Sequence, residues 1–158
     1  MTLSDLLALV RPGDALLYRG SGFIPWLIRV KTWSPVSHIE VVVSPFETIA
    51  ARESGSAVYP ISAEKLYEVW RPKLPIDVPD GMAWFMRSAN GQKYDLWGLF
   101  RFFTIGKQST SKQFCSELAT RFYRAAGLEP FTPETDADLV SPGMFRTSSR
   151  LARIWERE

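Results

Sequence analysis

The chain reads as an α+β protein. Strand-like stretches crowd the first half of the sequence, and helical patterns dominate the second. The two do not alternate as the β-α-β units of a parallel sheet would. The 158 residues suit one domain with a real core, taken here as residues 1–158, and they contain no repeat or low-complexity segment.

The elements follow in order. Thr2-Leu3-Ser4-Asp5 has the form of a capping box and opens a short helix through Val10. Arg11-Pro12-Gly13-Asp14 turns the chain into a strand at Ala15–Tyr18. Past Gly20-Ser21-Gly22, Phe23, Trp26, Leu27 and Val30 recur at helical spacing, so Phe23–Lys31 is expected as a helix, with Pro25 near its start where proline is tolerated. His38–Val43 is rich in β-branched residues, and Ser44-Pro45 closes it as a strand. Thr48–Arg52, Ala57–Ile61 and Leu66–Arg71 read as further strands. An Asp80 cap begins a helix carrying Met82, Phe85, Met86 and Ala89, and Asn90-Gly91 stops it. A second helix is expected over Asp95–Phe103, followed by a polar loop at Thr104–Ser111. From Cys115, the residues Leu118, Ala119, Phe122, Ala125 and Ala126 form one helical side that ends at Gly127. The tail is irregular around Pro130, Pro133 and Pro142. Ser148–Trp155 closes the chain as a short helix or strand.

Composition narrows the function. A single cysteine excludes an internal disulfide and gives no sign of an oxidising compartment. Met1–Val10 lacks the basic start of a signal peptide, and no run of about 18 apolar residues exists to span a membrane, so a cytoplasmic location is expected. The net charge of +2 is spread in both signs along the chain, which argues against a nucleic-acid partner. One cysteine and one histidine cannot by themselves make a tetrahedral zinc site. No metal or other cofactor is expected.

The chemistry gathers on two residues. Cys115 falls in the first turn of its helix, where unpaired N–H groups and the helix dipole favour an anion and a thiol tends to become a nucleophile. The alternative is a small apolar residue on the buried stripe. His38 heads the best strand, and alternation puts His38, Glu40 and Val42 on one face. It reads either as a general base or as a polar residue at a strand edge, satisfied by backbone. Together they have the makings of a dyad, a thiol activated by imidazole with a third polar group to orient the ring. Strand first and nucleophile helix last is the papain layout in reversed chain order.

Five ordered segments carry a resemblance. They are Pro12-Gly13-Asp14-Ala15-Leu16-Leu17, Ser37-His38-Ile39-Glu40-Val41-Val42-Val43, Lys93-Tyr94-Asp95-Leu96-Trp97-Gly98-Leu99, Phe114-Cys115-Ser116-Glu117-Leu118 and Val140-Ser141-Pro142-Gly143-Met144. In this the chain resembles the circularly permuted branch of the NlpC/P60 superfamily of papain-like cysteine hydrolases. That branch includes YiiX-like proteins and poxvirus-encoded relatives and is related to lecithin–retinol acyltransferase. The resemblance implies a permuted papain-like fold with a small antiparallel sheet packed against helices. It implies Cys115 as nucleophile and His38 as base. It places the third polar residue near Ile49-Ala50-Ala51, where this chain has nothing polar. Glu40, on the histidine's own strand face, is the preferred substitute, with Glu53 or no third residue as alternatives. Tyr18, at the end of the Gly-Asp strand, is a candidate oxyanion donor or a packing residue. The implied reaction is cleavage of an amide bond, in a peptide or cell wall, or of an ester bond. Acyl transfer, acyl-lipid chemistry and a non-catalytic binding module on the same fold stay open.

Aromatic bulk is the last signal. Trp97, Leu99, Phe100, Phe102, Phe103 and Ile105, with Phe23, Ile24, Trp26 and Trp33, exceed what two short helices use. Core packing is the ordinary fate of such stripes. The alternative is an apolar groove for an acyl chain, a lipid surface or a partner, leaving peripheral membrane contact open.

Overall fold

A computed structural model describes residues 1–93 and 114–158. Its centre is a six-stranded antiparallel sheet. In chain order the strands are β1 (Ala15–Tyr18), β2 (His38–Ser44), β3 (Glu47–Arg52), β4 (Gly55–Pro60), β5 (Leu66–Pro72) and β6 (Leu151–Glu156), and across the sheet they run β4-β3-β2-β1-β5-β6. The helices are α1 (Leu3–Leu9), α2 (Phe23–Thr32), α3 (Val78–Ser88) and α4 (Cys115–Ala125), followed by 3-10 turns at Ala137–Leu139 and Pro142–Thr147. This is the α+β class that the sequence predicts.

Strand alternation divides the core between the two faces of the sheet. Ala15, Leu17, Ile39, Val41, Ile49 and Ala51 meet Phe85 of α3 and Cys115, Leu118, Ala119, Phe122 and Tyr123 of α4. On the other face Leu16, Tyr18, Val42 and Val69 pack with Leu6 of α1. α4 lies against α3 and across β2 and β3. Gly81 permits the helix contact: a Cβ there would lie 2.6 Å from the Phe122 ring.

Local chemistry explains most element ends. Thr2 caps α1, accepting from the Asp5 amide at 3.2 Å while Asp5 accepts from the Thr2 amide at 2.8 Å. Gly127, at φ 84°, turns the chain after α4. Asp14 is buried and takes two bonds from Arg71, at 2.8 and 2.7 Å, which ties the start of β1 to β5.

The structure corrects several expectations. The cap of α3 is Asp77, not Asp80: its carboxylate accepts the Asp80 amide at 2.9 Å, and Pro79 falls inside the first turn, where it leaves no amide wanting. At the chain's end, where the sequence leaves helix and strand both open, the structure has the strand β6. Phe23, Trp26 and Trp33 are exposed at 68%, 49% and 95%, so they are not core. The helix expected at Asp95–Phe103, the loop at Thr104–Ser111 and the Tyr94-Asp95 segment lie outside the described residues. Among the described residues no helix is long and apolar enough to cross a membrane.

Candidate active site

His38 is the first residue of β2, beside the end of β1, with Tyr18 its register partner. Two contacts fix the strand start. The Ser37 amide donates to the Tyr18 carbonyl at 2.9 Å, and Ser37 Oγ accepts from the Gly20 amide at 3.0 Å. The His38 side chain is 23% exposed, so one edge of the ring stays open to solvent.

Glu40, two residues on, shares that face and is buried. Its Oε1 lies 3.1 Å from His38 Nε2 and takes Arg52 Nε at 2.9 Å, while its Oε2 accepts Thr48 Oγ1 at 2.7 Å. Burial alone would push this carboxyl up. The imidazole's hydrogen bond and charge, Arg52 and Thr48 together hold it below its ordinary range. The strand pairing explains this cluster. Val41 faces Ile49, and that register continued one step sets Glu40 opposite Ala50. The position where the resemblance expects a polar residue is thus an alanine facing a glutamate. Glu53 sits exposed in the β3–β4 turn.

Cys115, the first residue of α4 and 5% exposed, is the second group that acts on the ring. Burial of the imidazole favours its neutral form. A negative charge and hydrogen bond at Cys115, joined by those of Glu40, outweigh that and raise the His38 pKa to about 10. The sequence-distant pair is brought together.

The start of α4 is anchored independently. Ser116 Oγ donates to the Val140 carbonyl at 2.5 Å. Glu117 accepts from the Phe114 amide at 3.4 Å and from Arg121 Nε at 3.0 Å, and Arg121 also reaches Asp138 at 2.8 Å. Burial and the Asp138 carboxylate push Glu117 up to about 7 despite Arg121.

Tyr18 is placed differently from an oxyanion donor. Its hydroxyl donates to the Ser62 carbonyl at 3.0 Å, and its ring lies 6.0 Å from the imidazole, so it forms a wall beside His38. Burial and the Glu40 charge push its hydroxyl well above the ordinary value. A cleft of about 440 Å³ opens against this wall, lined in part by Tyr18, His38, Glu40, Arg52, Pro25 and Ile28. Cys115 is not among its lining residues.

Sequence reasoning misses Thr48 and Arg52. Both belong to β3 and share the Glu40 face, so the signal is the hairpin register between two strands rather than any motif. Arg52 is itself held over the Tyr59 ring at 4.1 Å.

No family model matches the chain, and no curated protein matches it. The fold does have a solved counterpart, an α+β protein of nearly the same extent. It is the crystal structure of the metalloprotein YiiX from Escherichia coli O157:H7, similar at a TM-score of 0.60 and 18% identity over 93% of this chain and 97% of that one. Among the described residues here, no group of three His, Cys, Asp or Glu side chains could hold a metal ion. The Glu40 carboxylate is already spanned by Arg52, whose cation opposes a second one.

Proposed function

We propose that this chain is a cysteine-dependent hydrolase with a permuted papain-like fold, acting on an amide or ester bond. The observation that carries it is the His38 imidazole, paired with the buried Glu40 carboxylate at 3.1 Å and interacting with the Cys115 thiol at the start of α4. An imidazole so placed holds its proton more tightly than a free one, and the imidazolium form is the one that would stabilise a thiolate beside it.

Sγ then attacks the carbonyl carbon, and the oxygen becomes an oxyanion within reach of the Cys115 amide at the helix tip. As the carbon–nitrogen or carbon–oxygen bond breaks, His38 passes its proton to the leaving group. Water, deprotonated by the now neutral imidazole, attacks the thioester and releases the acid and the thiolate. Glu40 holds the ring in line throughout and stabilises its cationic state. The fold counterpart supports the architecture; the substrate class rests on the chemistry of the site.

The burial of Cys115 and its absence from the cleft favour a second reading, a binding module without turnover. Acylation separates the two. Incubation with a p-nitrophenyl acyl ester, quenched in acid, is expected to leave an acyl mass on the Cys115 peptide that Cys115→Ala abolishes. A native chain that neither acylates nor alkylates faster than a free cysteine peptide would falsify the hydrolase.

A further inference from the structure

We propose that α2 is a docking element for an anionic lipid bilayer. One side of this helix faces the cleft, where Pro25 and Ile28 join His38 and Glu40 in the lining. The other side carries Phe23, Trp26 and Val30, at 68%, 49% and 51% exposure, with Trp33 just past the helix end at 95%. The Phe23 and Trp26 rings stack with centroids 5.9 Å apart, which makes them one ridge standing off the surface.

Trp33 is an independent observation. It holds the left-handed conformation at the C-cap of α2, φ 49° and ψ 38°. L side chains disfavour that region, and glycine or asparagine commonly fills it at helix ends. Here a tryptophan fills it and points almost wholly into solvent, so packing within the fold does not account for it.

Charge selects the occupant. From Arg19 to Ser37 the sequence has no acidic residue. Arg19 and Arg29 border the shallow groove formed with Trp26, Val30 and Trp33. Indole rings settle at the headgroup level of a bilayer, guanidinium groups meet lipid phosphates, and the aliphatic stems lie between. An apolar protein surface would use the rings but leave the arginines without a counter-charge, whereas an anionic bilayer uses both. Docked this way, α2 lies between the bilayer and the cleft on its opposite side. This orientation does not depend on Cys115 being a nucleophile.

Vesicle co-sedimentation tests it, with equimolar phosphatidylglycerol and phosphatidylcholine compared against phosphatidylcholine alone. The full chain is expected to partition at least about tenfold more strongly onto the anionic vesicles, and the excess to shrink as salt screens it. Trp33→Ser is expected to weaken partition several-fold; at 95% exposure it leaves the fold intact, checked by an unchanged urea midpoint. Phe23→Ser, Trp26→Ser and Trp33→Ser combined are expected to bring binding to background. Cys115→Ala is expected to bind like the parent chain, which keeps this result separate from any loss of turnover. Absence of binding to the anionic vesicles overturns the proposal, as does equal binding by the triple variant. A dimer in buffer that the triple variant splits also overturns it, because the face then belongs to a second copy.

Discussion

Glu40 and Glu68 invite comparison. Both are sunk in the sheet, 2% and 0% exposed, and both are held below the ordinary carboxylate range although burial pushes the other way. Their donors differ. Glu68 takes Arg146 through several contacts of 2.9–3.0 Å, Trp70 Nε1 at 2.7 Å and Arg153 at 3.4 Å. Every one of these donors keeps its proton at working pH, so Glu68 is a strut that joins β5 to β6 and the turn before it. Glu40 has one arginine, one hydroxyl and an imidazole. The imidazole is a donor whose charge can change, and it interacts with the only thiol in the chain. Burial and charge alone therefore do not separate the two carboxylates; of the two, Glu40 is the one with a partner able to give up a proton.

The strongest way to break this distinction is His38→Ala. It should slow alkylation of Cys115 by iodoacetamide at neutral pH by about a hundredfold, followed by peptide mass. An unchanged rate would leave Glu40 with nothing to orient.

Glu68→Ala should lower the unfolding free energy by about 2–4 kcal/mol, below a fully buried pair because both arginines reach solvent. Urea melts measure this. Alkylation of the native variant should stay within about twofold of the parent, since the Glu68 donors Trp70, Arg146 and Arg153 are shared with neither His38 nor Glu40. A slowing like that of a Glu40 variant would erase the contrast.

Glu40→Gln preserves shape and removes charge. We expect a stability loss of about 1–2 kcal/mol and at least a tenfold slower alkylation, roughly the effect of misorienting a catalytic imidazole.

The smallest effect sharpens the comparison through pH. His38 is raised from 6.5 to about 10, so its contribution is complete below 6.5 and is lost as pH rises through 10. Glu68 is lowered, so its contribution is present above the ordinary carboxylate range and is lost only as pH falls. The gap in urea midpoint between the parent and His38→Asn should therefore narrow from pH 7 to pH 10. The gap to Glu68→Gln should stay flat over the same interval.

The parts of the fold legible in the sequence are those set by local periodicity. The alternation of β2 by itself puts Glu40 on the His38 face, and the apolar stripe of α4 gives Leu118, Ala119 and Phe122 as core. The Thr2 capping box is legible because all its groups lie within one turn. Arg52 and Thr48 are not, because their place beside Glu40 depends on the β2–β3 register, which no single strand encodes. Asp77 is hidden behind Asp80 because a proline between them looks like a barrier, although the first helical turn accepts it. The aromatics of α2 mislead for a different reason. Helical spacing reports which residues share a side, not whether anything covers that side.

Glu40 and His38 are neighbours on one extended segment, only two residues apart, while the sulfur arrives on a separate helix. Fraying of the first turn of α4 would carry the thiol away while Leu118, Phe122 and Tyr123 stay packed, and would leave the ring and its carboxylate still matched. Each excursion would part the thiol from the imidazole without unpacking the core, and recovery would require only that one turn to re-form. Amide exchange faster in the first turn of α4 than along β2 would be its signature.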